Sequence, residues 1–252
     1  MAINTRHERI LDLLRRRGYV TIEEVSARLR VTPQTIRRDL HDLAAQGKLR
    51  RHHGGASLPS AIVNTNYALR HVENADAKAR MAEAAAELVP EGSSLFLTLG
   101  TTIEALASAL VGKRDLRVVT NSTAAARILG GSPGISIQLL GGAYLPGIGG
   151  VAGSLTTELV ARWRCDMLAT SIGAVSSDGW LLDYHEEEVA VMRAMHAQAR
   201  RTMLLADHSK FHKATVCTFL PLREIAVVVT DQPVPGSHAQ AMREAGVEVL
   251  IA

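Results

Sequence analysis

Residues Val31–Arg51 read VTPQTIRRDLHDLAAQGKLRR, and His52-His53-Gly54-Gly55 follows at once. Thr32 can cap a helix, and Pro33 suits the first helical position, where its missing N–H would be unpaired anyway. Gln34, Thr35, Arg37 and Arg38 then fall in the first two turns, the end of a recognition helix that meets base edges and phosphates. Ile36, Leu40 and Leu43 recur at helical spacing and form a buried stripe. Gly47 stops the helix, and Lys48–His53 reads as a short basic β-wing turning at Gly54-Gly55.

The residues before this stretch complete the unit. Ile10, Leu13 and Leu14 give a first helix its apolar face, and Gly18 ends it. Thr21-Ile22-Glu23-Glu24 is a capping box, with Val25 and Leu29 on the buried side of the second helix. Arg30-Val31-Thr32 is the turn into the third. The pattern is a winged helix-turn-helix. Within it, Gln34, Thr35 and Arg38 are assigned to base edges, because glutamine can read adenine and arginine guanine. Arg50, Arg51 and His53 are assigned to the phosphate backbone, and Thr32 and Arg37 complete the expected DNA-binding set. Arg15-Arg16-Arg17 reads better as a solvated helix end than as a phosphate contact.

Charge separates this head from the rest. The first 55 residues hold twelve Lys and Arg against six Asp and Glu, and the remainder holds sixteen against nineteen. A chain of net charge +3 thus carries a basic head on a mildly acidic body, the footprint of a polyanion-binding module joined to something else. Aromatic residues are only 4%, which argues against stacking platforms for single strands. Cys165 and Cys217 lie in apolar strand-like runs, away from any ligand-like cluster, and are expected as reduced core residues. No signal peptide opens the chain, and no run of about 18 apolar residues could span a bilayer. The expectation is a cytoplasmic protein with no membrane partner.

Beyond a short polar stretch with Pro59, apolar runs alternate with helical patterns. The expected division is 1–57 for the head, 58–75 for a linker and 76–252 for the body, opening with an alanine-rich helix over about Asp76–Leu88. Candidate strands are Leu95–Leu99, Leu116–Thr120, Ile135–Leu140, Cys165–Ile172, Thr202–Ala206, Ile225–Val229 and Val247–Ile251. Near-continuous apolar strands between helices predict an α/β domain, Rossmann-like, with a mostly parallel sheet covered on both faces. Ligands of such sheets bind at the carboxyl ends of strands.

Five polar motifs fall at those ends. Gly100-Thr101-Thr102 opens a helix after the first strand, combining a close backbone approach, hydroxyls and a helix N-terminus that favours an anion. Asn121-Ser122 repeats the arrangement, though such a pair also serves as a plain cap. Gly141-Gly142 and Gly173 follow the next two strands. Asp207-His208-Ser209-Lys210-Phe211 follows the fifth, with Lys210 as a point charge for phosphate or carboxylate. Thr98 completes the candidate set. Glu186-Glu187-Glu188 reads as a solvated first turn, Glu188 or Asp183 facing the site being the lesser reading. His196, His208 and His212 have no ligand spacing, so no metal or other cofactor is expected.

These residues carry a resemblance. Arg6, Ile10, Thr-Ile-Glu-Glu-Val, the Thr35-Ile36-Arg37-Arg38-Asp39-Leu40 core, Gly47, Arg51 and His53-Gly54-Gly55-Ala56 resemble the DNA-binding domain of the DeoR family of bacterial transcriptional regulators. The succession of GTT, TNS, GG, SIG and DHSKF resembles that family's sensor domain. Ala152-Gly153, Arg164-Cys165-Asp166, Leu181-Leu182-Asp183-Tyr184 and Glu187-Glu188-Val189 are most similar to its glycerol-3-phosphate repressor branch. The resemblance implies a sugar-phosphate isomerase/CoA-transferase-like fold for the body, an operator DNA duplex and a small phosphorylated carbohydrate as partners, and homodimers or homotetramers. One departure is Thr98, where the family usually has an acidic residue. The leading reading is a repressor of a carbohydrate catabolic operon, not an enzyme and without catalytic residues. A sugar-phosphate isomerase carrying a DNA-binding head, with Lys210 and Asp207 as base and acid, and a nonspecific nucleoid protein are the rival readings.

Overall fold

The computed structural model describes residues 3–17, 19–52, 54–57 and 67–252. Its contacts divide the chain into two compact units, Met1–Arg70 and His71–Ala252. Gly18, His53 and the expected linker residues 58–66 lie outside the described residues, as do the side chains of Arg15, Arg16 and Arg17.

In the first unit, α1 (Ile3–Arg17), α2 (Ile22–Leu29) and α3 (Pro33–Ala45) pack with three short strands, β1 (Tyr19–Thr21), β2 (Arg50–His52) and β3 (Gly55–Ser57). The strands pair antiparallel in the order β1-β3-β2. The caps act as the sequence requires: Thr21 Oγ1 accepts the Glu24 N–H at 3.0 Å, and Thr32 Oγ1 accepts the Thr35 N–H at 3.3 Å. Arg30 closes α2 in the left-handed region at φ 53°. Ile10, Leu14, Val25, Ile36, Leu40 and Leu43 fuse the three helices into one core. Burying five or six such side chains contributes on the order of 10 kcal/mol before entropy is counted. The head therefore has its own reason to fold.

The second unit opens with α4 (Tyr67–Val72), shared across the division, and α5 (Ala75–Glu87). There follow β4 (Ser94–Leu97), α6 (Thr101–Leu110), β5 (Leu116–Thr120), α7 (Thr123–Leu129), β6 (Ile135–Leu139), β7 (Ala143–Leu145), β8 (Gly150–Ala152) and α8 (Ser154–Val160). The rest is β9 (Cys165–Ser171), β10 (Ala174–Val175), β11 (Trp180–Asp183), α9 (Glu186–Ala197), β12 (Ala199–Leu205), β13 (Cys217–Pro221), β14 (Val227–Thr230), α10 (Gly236–Glu244) and β15 (Glu248–Ile251).

Seven of these strands form one parallel sheet in the order β15-β14-β12-β9-β4-β5-β6. All seven fall on the apolar runs read from the sequence. Residue alternation splits their side chains cleanly. Leu95, Leu97, Val118, Met167, Met203 and Val227 pack with α5, α6 and α7. Phe96, Val119 and Leu168 point to the other face, against α8 and α9. Leu204 and Val228 share that face and pack with Met192 and Met242. The chain builds β4-β5-β6 in one direction, then returns beside β4 and builds β9-β12-β14-β15 in the other. The reversal lies between β4 and β9, and at such a switch point the carboxyl ends of strands splay around a crevice.

Two smaller sheets are additions. β7 and β8 form a hairpin, and β10-β11-β13 form a second antiparallel sheet. Cys165 and Cys217 are free thiols on β9 and β13. Among the described residues no helix is long and apolar enough to cross a membrane.

Candidate functional site

The sequence places Gly100-Thr101-Thr102 and Ser171 on either side of the switch point, and the backbone there requires glycine. Gly100 has φ +117°, and a Cβ at that position would meet Ser171 Oγ at 2.8 Å. The N-cap of the ten-residue α6 is Gly100, which makes no side-chain cap hydrogen bond. That puts the positive end of the helix dipole beside the crevice.

A cation from another element meets it. Lys78 on α5 is buried, and its Nζ donates to Thr101 Oγ1 at 3.0 Å and to the Glu73 carbonyl at 2.7 Å. Lys210 arrives from the turn after β12. Two bonds fix that turn: Asp207 Oδ1 accepts the Ser209 N–H at 3.0 Å, and Asp231 Oδ1 accepts the His208 N–H at 2.6 Å. Asp231 Oδ2 also lies 2.7 Å from His208 Nδ1. Lys210 keeps partial solvent access as a residue, yet its ammonium sits among dense protein. Desolvation there, reinforced by Lys213 and Lys78 and opposed by Asp207 and Asp183, pushes its pKa down to about 8. Burial alone would raise the Asp207 carboxyl, but the Lys210 charge and the Ser209 hydrogen bonds outweigh it and hold it below the usual range. The electrostatic picture is a cationic pocket that an anion would stabilise.

The predicted residues fall into three groups. Gly100, Thr101, Thr102, Asp207 and Lys210 gather at the ends of β4 and β12, flanking β9. Asn121 lies at the end of β5 with its Nδ2 on the Val151 carbonyl at 2.9 Å, and its buried Oδ1 has no hydrogen-bond partner among the described residues. A buried acceptor left open calls for a donor, which a ligand hydroxyl can supply. Thr230 Oγ1, at the end of β14, is buried and open in the same way. The third group is occupied by the fold. Ser122 Oγ caps α7 through the Ala125 N–H at 3.1 Å. The Gly141 carbonyl accepts Thr156 Oγ1 at 2.9 Å, and a Cβ on Gly142 would meet that oxygen at 2.0 Å. Gly173 packs under the Tyr184 ring. Thr98 is buried with its hydroxyl 3.0 Å from that of Thr170.

Glu186 and Glu187 are exposed, whereas Asp183 and Glu188 turn inward and are buried, with Asp183 in the field of Lys210. Lys78 and Thr230 carry no sequence signal of their own, and Asp183 enters the sequence reading only as a lesser alternative. Their burial and partners depend on contacts far along the chain. His196 Nδ1 bonds Thr202 Oγ1 at 2.8 Å, and among the described residues no His, Cys, Asp and Glu group could hold a metal ion. A separate open cleft of 630 Å³ lies at the amino ends of β4 to β6, lined by Ser94, Arg117 and Asp166 among others. Asp166 is already committed there to Ser94 and Arg200.

On the head, Gln34, Arg37, Arg38, Arg50 and Arg51 are exposed. Thr32 and Thr35 share the cap, their hydroxyls 2.9 Å apart. Arg51 Nη1 lies 3.3 Å from His41 Nδ1, tying the wing to α3. The helix itself is held from behind: Asp39 is buried and accepts both Nε and Nη2 of Arg6, with His7 Nε2 at 3.3 Å. One face of α3 is thus locked into the head while the arginine face meets solvent.

Comparison with known proteins bears on both units. The model of the DeoR-like helix-turn-helix domain matches residues 6–61, and that of the DeoR C terminal sensor domain matches residues 73–232. The chain is 37% identical over 248 residues to the HTH-type transcriptional repressor CsqR of Escherichia coli (strain K12), covering 98% of this chain and 95% of that protein. It is 39% identical over 239 residues to the glycerol-3-phosphate regulon repressor of the same organism, covering 95% of each. Among solved structures, the full-length sorbitol operon regulator SorC from Klebsiella pneumoniae aligns over 96% of this chain and 98% of its own, at 13% identity and a TM-score of 0.43.

Proposed function

Since the chain belongs to the DeoR family of transcriptional regulators, we propose that it is a DNA-binding repressor of a carbohydrate catabolic operon, released by a small phosphorylated sugar or polyol. The head supplies operator contacts through Gln34, Thr35, Arg37, Arg38, Arg50, Arg51, His53 and Thr32. The body supplies the effector pocket around Gly100, Thr101, Thr102, Asp207 and Lys210, with Asn121 toward the sugar. The observation that supports this reading best is the convergence of Lys78, Lys210 and the uncapped start of α6 on one crevice. A phosphate provides the charge and the acceptors that such a crevice lacks.

The protein acts in the bacterial cytoplasm, on the nucleoid when bound to DNA, and as a homodimer or homotetramer, because a palindromic operator needs two heads. An effector changes DNA affinity only through different affinity for two arrangements of the chain. The relatives named as repressors support regulation over catalysis.

A thermal-shift screen of phosphorylated sugars and polyols, run beside an assay for product, tests the reading. Stabilisation by a phosphorylated compound but not its dephosphorylated form, without turnover, supports it. Turnover of ribose 5-phosphate overturns it in favour of the isomerase.

A further inference from the structure

Three contacts converge on the turn that joins α4 to α5. Glu73 and Asn74 form it, and Asn74 is a non-glycine residue in the left-handed region, at φ 53° and ψ 35°. Asn74 Nδ2 donates to Asp207 Oδ1 at 2.9 Å. The Glu73 carbonyl accepts Lys78 Nζ at 2.7 Å, and the same ammonium reaches Thr101. Just before the turn, His71 Nε2 lies 3.2 Å from the carboxylate of Glu104, which is buried in the first turn of α6. The start of α6 and the turn carrying Lys210 therefore both hold one short segment. In sequence, that segment is where the chain arriving from the head enters the sensor.

We propose that the Glu73–Asn74 turn is the output hinge of the sensor, with the Asn74–Asp207 hydrogen bond as its pivot. The proposal rests on the effector site described above. A phosphate seated between Thr101 and Lys210 competes for the Lys78 ammonium, which has three N–H donors and two of them already placed on Glu73 and Thr101. The Glu73 carbonyl loses its donor to the ligand. Lys210 turns its charge from Asp207 to the phosphate, which leaves Asp207 a stronger acceptor for Asn74. One end of the turn is released while the other is gripped harder, so occupancy rotates the turn about Asn74. The hinge belongs to the class in which a few element-terminal residues absorb the backbone change.

The test uses the full chain and a duplex it selects from random sequence. Operator Kd is measured by fluorescence anisotropy with and without glycerol 3-phosphate, and in a second arm with ribose 5-phosphate. Binding of each compound is measured directly by calorimetry. Asn74→Gly keeps the left-handed backbone and removes the amide; Asn74→Ala removes both. The expected result is that each variant binds the compound within about threefold of wild type, while the ratio of operator Kd with and without it falls below about twofold from a wild-type coupling of at least about fivefold. An Asn74→Gly chain that keeps the wild-type ratio overturns the hinge. So does one that no longer binds the compound, because Asn74 then serves the pocket and not its output. A wild-type chain that neither compound moves off DNA sinks the effector reading itself and the hinge with it.

Discussion

The Lys210 ammonium titrates at about 8 in the unliganded protein, low for a lysine because burial, Lys213 and Lys78 disfavour its charge. At pH 7 about nine in ten molecules carry that charge, and at pH 9 about one in ten. A phosphate monoester, with a second pKa of about 6, is mainly dianionic across the range. If the phosphate needs the charged lysine, affinity follows the charged fraction and falls about tenfold from pH 7 to pH 9, or about 1.4 kcal/mol. The sign is fixed by linkage: the bound dianion raises the lysine pKa, so binding takes up a proton, and affinity is greatest below pH 8 and lost above it. Calorimetry in buffers of different ionisation enthalpy reads this directly, as uptake of about half a proton per site at pH 8. Lys210→Met should bind the same compound more weakly and without slope between pH 7 and 9. A wild-type affinity that is flat over this range, or a Lys210→Met slope equal to the wild type's, would refute the role given to the lysine.

Other consequences are as specific. Arg38→Ala should weaken operator binding by about 1–3 kcal/mol and relax preference at one base pair, as read by anisotropy against single-base operator variants; unchanged affinity removes it from the base-reading set. Asp39→Ala takes the shared acceptor from the partly buried Arg6 and from His7, and denaturant titration should show the head destabilised by about 1–3 kcal/mol with the sensor transition unmoved. Gly100→Ala should abolish effector binding, and adding Ser171→Ala should not rescue it, because the φ of +117° persists after the clash is relieved; calorimetric recovery in the double variant would show that the collision alone mattered.

Much of this architecture is written locally. Thr21 with Glu24, and Thr32 with Pro33, announce two helix starts without reference to anything distant, and the structure uses both caps. The inner strands β4 and β14 are apolar on both faces, which makes Leu95–Leu97 and Val227–Val229 legible as buried parallel strands before any pairing is known. The short strands β7, β8, β10 and β11 escape notice because two to four residues give no period, and their pairing is decided by tertiary contact; of the added strands only β13 is foreshadowed, by the apolar run at Cys217. The same limit applies to the pocket. Gly100-Thr101-Thr102 and Lys210 stand out beside apolar runs. Lys78 is one charge on an alanine-rich helix, indistinguishable from a solvated lysine until α5 packs beside Thr101. Ser122 shows the converse, a motif residue spent on capping its own helix.

The claim that joins the two units is that a phosphorylated metabolite in the sensor lowers the affinity of the head for its operator. Its most direct test is a titration of the full chain, bound to its selected duplex at fixed salt, with a phosphorylated sugar or polyol and with the same compound lacking phosphate. The account predicts release by the phosphorylated form alone, absent in Lys210→Met although that variant binds the duplex as tightly as wild type. Release of Lys210→Met at wild-type concentrations, or equal release by the dephosphorylated compound, would contradict it.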